Sequence, residues 1–401
     1  MSHIPKLVAE SIRLKFSLSP SSRTRIFSNG QRPIICQEAF QKALKEGWGN
    51  PSSPYRSSAK LRASMQKCRE MIAASYDIDP DLVLFTSGAT EANNSVFCVL
   101  ARRAEISSRV LLSPLEHPSV TEAAHYWFPN CVDYLNAKAD GTVSVDEISQ
   151  YLENNQNYSL VSVMAASNES GVIQPWRQIA QLCKEYGVPY HCDSTQLPGK
   201  EDLNGLSLCS FNVASAHKFG GPKGIGWLIG ENATSILVGG EQEKGRRGGT
   251  ENYPAIVSAS VAWETHVKGQ LNVPLLAGFR NHFEKQMENL FPGVKFIGKS
   301  SPRLWNTSLL IMPKFDNLEW VAKLDSLGYQ VSTGSACSTT KTGGSPVAIA
   351  LELTPSETKR LVRISASQFH TSEEWDGLLS AFRQSGDELN KDFGDSSVIS
   401  L

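Results

Sequence analysis

Short apolar runs alternate with helical stretches through the first two thirds of the chain. Four of these runs have the length of a buried strand: Leu82–Thr86, Val110–Leu112, Leu160–Ala165 and Phe211–Ala214. Strands that alternate with helices favour an α/β fold with a mostly parallel sheet covered on both faces. Ligands bind at the carboxyl ends of the strands in such a sheet. The segment after each run is therefore where the sequence predicts a functional site.

The sequence predicts two boundaries outside this alternating region. Residues 1–28 form a Ser-rich basic arm, which either packs on the body of the protein or is an organelle targeting peptide, the first being favoured. Near 268–275 a polar stretch with Gly and Pro precedes a new helix, predicted over 276–290. We therefore expect a large domain over 29–267 and a smaller C-terminal α/β domain over 268–401.

Composition excludes several classes of protein. The 39 basic and 40 acidic residues nearly cancel, so there is no electrostatic footprint for nucleic acid or an anionic membrane. No apolar run approaches the roughly 20 residues that span a bilayer. The eight cysteines contain no C-x-x-C pair, which argues against a zinc site and a disulfide scaffold. We expect a cytoplasmic protein without a bound metal.

The first predicted site segment is Thr86–Asn94, in which a strand leads through a glycine turn into a helix. Backbone N–H groups at a helix N-terminus bind anions, and Thr90 could add its hydroxyl. The alternative is an ordinary strand–helix turn in which Thr90 is only the N-cap. Alone, this segment is a weak indication of an anion site.

Two further segments carry charged residues that follow predicted strands. Tyr190–Gln196 brings Asp193 to a strand end, where a buried carboxylate needs a cationic or donor partner such as a protonated heterocyclic nitrogen. An Asp that caps a loop explains the same pattern equally well. Ser215–Gly226 places Lys218 in a glycine-rich turn after a strand, which suits a lysine that forms a Schiff base. A solvated surface lysine is the less favoured alternative there.

The C-terminal part contributes a thiol and a cation. Cys337 stands among small residues in Ser332–Cys337, which indicates an accessible thiol, whereas Cys98 and Cys183 have the surroundings of core residues. Arg363 follows, and a guanidinium suits a substrate carboxylate. The alternative for Cys337 is a small buried residue without a chemical role.

Eight ordered motifs together resemble those of the cysteine desulfurase and selenocysteine lyase branch of the class V aminotransferases. The motifs are Gly49–Ser53, Ser87–Glu91, Glu116-His117, Asn168-Glu169, the segment at Asp193, Ser215–Lys218, Arg246–Asn252 and Gly334–Cys337. The resemblance covers roughly residues 34–385. It implies the fold-type I architecture of enzymes that use pyridoxal 5'-phosphate.

The resemblance also implies a set of cofactor-binding residues. They are Ala89, Thr90, His117, Asn168, Asp193, Gln196, Ser215, His217, Lys218 and Thr250. Lys218 would bind pyridoxal phosphate covalently, Asp193 would pair with its ring nitrogen, and His117 would stack on its ring. Asn168 and Gln196 would reach the phenolic oxygen, and the others would hold the phosphate. Thr250 would do so from the partner subunit, which makes the active unit a homodimer.

The implied reaction takes sulfur from L-cysteine and leaves L-alanine, with Cys337, Lys218 and His117 as catalytic residues. Arg363 and Asn168 would bind the substrate. The 26 residues between Cys337 and Arg363 resemble the branch with a long cysteine loop, which passes its persulfide to an acceptor protein. A selenocysteine lyase and a cofactor-binding scaffold without turnover are the alternatives.

Three segments depart from the family pattern. Ser28–Pro33 lacks the Asp and both Thr residues that the family has after its first strand, and Ser365–Gln368 replaces Ser-x-Gly-Arg. In addition, Gly239–Gln242 replaces a triple glycine. The first two departures lie where substrate contacts are expected, so they leave the cofactor assignment better supported than the substrate assignment.

Overall fold

The protein has an α/β fold in this computed structural model. The structure describes residues 25–26, 34–105, 107–154, 157–267, 271–334 and 344–398. Its centre is a seven-stranded sheet. The strands of this sheet are β2 (Val83–Thr86), β3 (Arg109–Leu112), β4 (Val132–Tyr134), β5 (Tyr158–Ser162), β6 (Tyr190–Asp193), β7 (Phe211–Ser215) and β8 (Gly226–Gly230).

The strand order in the sheet is β2-β8-β7-β6-β5-β3-β4. β8 runs antiparallel to both of its neighbours, and every other pairing is parallel. The carboxyl ends of β2, β3, β5, β6 and β7 therefore lie along one edge of the sheet. This arrangement confirms the predicted mostly parallel sheet.

Helices cover both faces of the sheet. Those between residues 34 and 266 are α1 (Ile34–Glu46), α2 (Arg56–Tyr76), α3 (Ala89–Ala101), α4 (Pro118–Trp127), α5 (Val145–Asn154), α6 (Trp176–Tyr186) and α7 (Tyr253–His266). Alternate residues of β2 point into different clusters of buried side chains. Val83 and Phe85 share one cluster with α2, α6 and α7, and Leu84 shares another with α3 and α4.

A second group of elements follows residue 272. It comprises α8 (Val273–Leu290), β9 (Lys295–Phe296), β10 (Thr307–Ile311), α9 (Asn317–Ser326), β11 (Tyr329–Gln330), α10 (Pro346–Ala350), α11 (Pro355–Thr358), β12 (Leu361–Ser365) and α12 (Ser372–Val398). β9, β10 and β12 form an antiparallel sheet in the order β12-β10-β9. Near the amino terminus β1 (Arg25–Ile26) pairs in parallel with β11.

This second group has its own core, in which Phe283, Trp320 and Phe382 are buried together. Leu309 and Leu361, however, belong to the large cluster on the seven-stranded sheet. The two groups of elements therefore pack tightly against each other. The predicted domain limits, including the arm over 1–28, stay predictions.

Element limits differ from the sequence-based ones by a few residues. α8 begins at Val273 rather than 276 because the Asn272 side chain accepts a hydrogen bond from the Leu275 N–H. β5 ends at Ser162, although Val163 and Ala165 still donate to the carbonyls of β6. No helix in the described part of the chain is long and apolar enough to cross a membrane.

Candidate active site

A cavity of about 590 Å³ opens at the edge where the parallel strands end. Its lining includes Ala89, Thr90, His117, Asn168, Asp193, Gln196, Ser215, His217, Lys218 and Arg363. The structure therefore brings together nearly all of the residues that the sequence analysis selected. A second cavity, of about 570 Å³, lies at the amino ends of β6 and β7 and is lined by other residues.

The N-terminus of α3 meets the end of β7 at this cavity. The Ala89 N–H donates to the Ser215 hydroxyl at 2.8 Å. Gly88 has a φ of 145°, and a Cβ there would come within 3.1 Å of the Ser215 oxygen. Only glycine allows this close approach. The turn thus presents the amino end of an α-helix to the cavity, as an anion site requires.

Lys218 ends a 3₁₀ turn, Ala216–Lys218, directly after β7. Its backbone carbonyl accepts a hydrogen bond from the Lys200 ammonium at 3.2 Å, and so does the Gln196 carbonyl. Lys200 is 3% exposed, and burial together with the positive charge of Lys218 lowers its pKa to about 7. Lys200 was not among the residues predicted from the sequence, because no local pattern around it indicates a buried side chain.

Asp193 ends β6 and is almost fully buried. One carboxylate oxygen accepts from the Thr195 N–H at 3.0 Å, and the other accepts from the Asn93 side-chain amide at 3.1 Å. The buried Thr195 hydroxyl lines the cavity and has no hydrogen-bond partner within the described ranges. An unpaired buried hydroxyl is costly, so this wall of the cavity is suited to a polar ligand.

His117 is the N-cap of α4, and its Nδ1 accepts a hydrogen bond from the Ser119 N–H at 3.1 Å. Burial is the main cause that lowers the pKa of His117, and the charge of Lys218 lowers it further. Asp193 opposes both effects. The imidazole is therefore uncharged at neutral pH, and Nε2 is the ring nitrogen that carries the proton.

Two further ionisable groups border the site. Burial lowers the pKa of His217 to about 4, with additional lowering by Lys218, Lys223 and Lys200. Glu116 is completely buried, and burial together with the Asp193 charge raises its pKa well above the usual value.

Arg363 reaches the cavity from β12. It is 5% exposed, and its Nη1 donates to the Asn168 carbonyl at 3.2 Å. Backbone hydrogen bonds with Ser332 in both directions tie its strand to the segment that precedes residue 335. The C-terminal elements thus supply the cation that a substrate carboxylate would need.

Glu169 is buried beside this cation. It accepts a hydrogen bond from the Ser345 hydroxyl, and burial raises its pKa. A Cβ on Gly334 would lie 3.8 Å from Oε2 of Glu169. Glu169 therefore lies next to Gly334 and hydrogen-bonds Ser345, residues that precede and follow the segment that carries Cys337.

Three predicted positions do not line this cavity within one chain or lie outside the described residues, and their roles stay predictions. Thr250 is exposed and is not among the lining residues. Cys337 and Ser28–Pro33 lie outside the described residues. Gln368, in the other departing segment, has its Nε2 2.5 Å from Nδ1 of His266.

The chain belongs to the class V aminotransferase family, whose model matches residues 30–378. Within that family it is 31% identical over 348 residues to the cysteine desulfurase IscS of Dictyoglomus turgidum, covering 84% of this chain and 87% of that protein. It is 29% identical over 349 residues to a cysteine desulfurase of Nostoc, covering 85% of this chain and 87% of that one. The resemblance stated from the motifs is confirmed.

Solved structures agree with this assignment. A NifS-like protein superposes with a TM-score of 0.81 at 28% identity, covering 90% of this chain and 98% of that one. A protein named SspA, solved in complex with cysteine, superposes with a TM-score of 0.76 at 25% identity, covering 87% of this chain and 100% of that one. The predicted fold class is therefore confirmed as well.

Proposed function

We propose that this protein is a pyridoxal phosphate-dependent cysteine desulfurase. It converts L-cysteine to L-alanine and keeps the sulfur as a persulfide on Cys337 for transfer to an acceptor protein. One observation carries this proposal. A buried carboxylate, a lysine, an uncharged histidine and a buried arginine line one cavity, in a chain about 31% identical to cysteine desulfurases.

The described residues fit pyridoxal phosphate. The α3 N-terminus at Ala89 and Thr90, together with Ser215 and His217, would hold the phosphate. Asp193 would face the ring nitrogen, and the unpartnered Thr195 hydroxyl offers one more polar contact. Lys218 would attach the cofactor, and Asn168 and Gln196 would contact its phenolic oxygen. When bound, this cofactor stabilises negative charge on the carbon next to an amine.

The chain's own residues orient the substrate. Arg363 would bind the carboxylate of cysteine, and the Asn168 carbonyl that accepts from Nη1 fixes the guanidinium. Because Arg363 is buried, this charge-assisted contact forms away from competing water. The Lys218 amine is the group placed to remove and return the proton on the α-carbon.

His117 supplies a proton at a fixed atom. Its Nδ1 already accepts from the Ser119 N–H, so the ring carries its proton on Nε2. The lowered pKa keeps the ring uncharged before it acts. His117 is therefore a donor at Nε2, able to protonate a product atom after the C–S bond breaks.

The sulfur step needs a second thiol but no external oxidant. The Cys337 thiolate attacks the substrate sulfur, the carbon–sulfur bond breaks, and the released β-carbon takes a proton to become the methyl group of alanine. The electron pair of the broken bond stays with that carbon. The described cysteines are buried except Cys131, which is half-buried. Cys337 stands at the position that carries the sulfur in the family.

The test is to measure alanine and sulfide release from cysteine, with selenocysteine as a parallel substrate. Cys337→Ser should retain the cofactor and yield essentially no sulfide, and Cys131→Ser should behave as the native protein. Sulfide release by Cys337→Ser at the native rate would refute the assignment. Alanine from selenocysteine alone would establish the lyase alternative.

The carboxylate contact has its own test. Arg363→Lys should raise the KM for cysteine about tenfold to a hundredfold, because one charge-assisted fork is lost. Cysteamine lacks the carboxylate and should not distinguish the two proteins. An equal effect on both substrates would mean that Arg363 serves another purpose.

The active unit proposed here is a homodimer, in which Thr250 completes the phosphate site of the partner. Thr250 is exposed, and the same loop region presents Val238, which is 84% exposed. Trp48 is 81% exposed and follows Gly47, which packs on the Tyr253 ring. Exposed large apolar side chains around a site loop favour an interface between subunits. Sedimentation should give twice 43.9 kDa, whereas a monomer with full activity would contradict it.

A further inference from the structure

Asn93 occupies a position that the proposed reaction does not use. It lies inside α3 and is completely buried. Its amide nitrogen is 3.1 Å from the Asp193 carboxylate and 2.9 Å from the Ser119 hydroxyl. One side-chain amide therefore reaches both a strand end and the start of α4.

The orientation of this amide follows from its neighbours. Asp193 can only accept hydrogen bonds when it is ionised, so the Asn93 nitrogen must face it. The Asn93 oxygen then faces Nε2 of His191 at 3.1 Å, and that nitrogen must carry a proton. The other ring nitrogen, Nδ1, accepts from the Ser162 hydroxyl at 2.9 Å. Hydrogen bonds thus connect the side chains of Ser162, His191, Asn93 and Asp193 in one series.

His191 is suited to hold this orientation. It is completely buried, and its ring meets the edge of Phe97 at 5.9 Å between centroids. Burial lowers its pKa to about 4, so it is uncharged and has one N–H to donate. The Ser162 hydroxyl at Nδ1 and the Asn93 oxygen at Nε2 together fix the tautomer that carries its proton on Nε2.

The second branch leads to His117. The Ser119 hydroxyl accepts from Asn93 and is 2.8 Å from Nδ1 of His117. Because Nδ1 of His117 carries no proton, the hydroxyl of Ser119 donates its proton to the imidazole while its oxygen accepts from the amide. The Asn93 amide thus links a carboxylate and an imidazole that both line the cavity.

We infer that Asn93 is the positioning residue that fixes Asp193 and His117 relative to each other, and that His191 orients Asn93. This inference rests on the proposed function because it concerns the same cofactor site. Its consequence is that the two groups that would contact a bound cofactor ring, Asp193 and His117, are both anchored through one amide. A rigid second layer of this kind is what keeps a catalytic geometry accurate.

The test uses Asn93→Leu and a matched control, Asn94→Ala. Asn94 is the next residue of the same helix, and its amide bonds the Thr90 carbonyl within that helix. Asn93→Leu should lower the affinity for pyridoxal phosphate about tenfold to a hundredfold, since it removes a hydrogen bond to a carboxylate. It should also shift the absorbance maximum of the bound cofactor, because Asp193 sets the charge on the ring nitrogen. Asn94→Ala should change neither.

Variants of His191 and Ser119 test the two branches if Asn93→Leu does not fold. His191→Phe removes the donor to Asn93 and should shift the absorbance maximum, whereas the amide of His191→Gln can still donate and should restore it. Ser119→Ala cuts only the branch to His117, so it should keep the maximum and lower affinity less than about tenfold.

The inference is overturned if Asn93→Leu keeps native affinity and absorbance. It is also overturned if the absorbance maximum stays native while affinity and thermal stability fall together, which would indicate a purely structural role. Failure of the proposed function looks different. In that case the native protein binds the cofactor but makes no alanine from cysteine, and the absorbance readout still tests Asn93.

Discussion

Two parts of the cavity differ in how complete they are within one chain. We call the lining residues Asp193, His117 and Lys218, together with Asn93 and His191 of the adjoining hydrogen-bond network, the floor. Asp193 and His191 lie in β6, Asn93 lies in α3, and Lys218 closely follows β7. Asp193, Asn93 and His191 are almost fully buried with partnered polar atoms. Some other residues that line the cavity are exposed.

We call the lining residues Thr90 and Lys223, together with the loop that ends in Thr250 and does not line the cavity within one chain, the mouth. Each of these three residues is exposed. The loop is held near α3 by an ion pair between Arg247 and Glu91 at 3.2 Å, not by a core. The fold of one chain therefore supplies the hydrogen-bond partners of the floor. The exposed polar groups of the mouth would gain theirs from a bound phosphate and a second subunit.

The largest difference between floor and mouth is expected when one lysine of each is replaced by alanine. Lys218→Ala should reduce alanine formation by about 10²–10⁴-fold, because a proton-transferring group on the floor is removed. Lys223→Ala, at the mouth, should cost less than about tenfold. Borohydride reduction followed by peptide mapping should locate the cofactor on Lys218. An adduct on Lys223 would reverse the assignment.

The root of the mouth loop should dominate its stability. Glu243 is in the left-handed region with φ 49°, and both of its oxygens bind the buried Arg69 guanidinium at 2.7 and 2.9 Å. Glu243→Gln should lower the free energy of unfolding by about 3–5 kcal/mol because it leaves a buried charge unpaired. Lys244→Gln breaks only an exposed pair with Asp81 and should cost less than about 1 kcal/mol. Urea denaturation measures both, and equal values would contradict the difference.

The floor should make stability depend on pH. His191 binds a proton near pH 4 when folded, and near pH 6.5 when unfolded. Between these values the unfolded chain holds more protons, so stability falls as the pH is lowered, by about 2 kcal/mol at pH 5 from this group. Urea denaturation at pH 7.5 and 5 should show that His191→Gln loses this part of the decrease. An unchanged decrease would place a charged His191 in the folded protein.

The smallest effect is expected at Thr250. Thr250→Ala should weaken cofactor affinity less than about tenfold, since one exposed hydroxyl is lost. Mixed dimers with Lys218→Ala distinguish the subunits. If Thr250 acts across the interface, one site of each mixed dimer has both native residues and regains native affinity. If Thr250 acts within its own chain, no such site exists.

The position of the cavity was predictable from the sequence because its principal residues lie at or just after the ends of strands. Asp193 and Lys218 stand at the ends of apolar runs, and the parallel sheet places those ends together. The α3 N-terminus was equally visible from its strand, glycine and helix. Local pattern is sufficient when the fold itself sets the position of a residue.

The second layer was not predictable in the same way. Asn93 and Asp193 are 100 residues apart, and Asn93 has the appearance of an ordinary polar helix residue. His191 stands in an apolar strand, where a histidine usually packs as a core residue. Lys200 could be identified as buried only after its two carbonyl partners were known. Contacts between distant segments, not local preferences, assign these roles.

The antiparallel strand β8 has a consequence for synthesis of the chain. β2 bonds only to β8 in its sheet, and Val83 pairs with Ile229, about 146 residues later. Until β8 has left the ribosome, β2 of a nascent chain therefore has an unpaired edge, and its four residues lack the surroundings that bury them in the folded protein. A truncated product that stops before residue 226 would consequently expose an aggregation-prone edge.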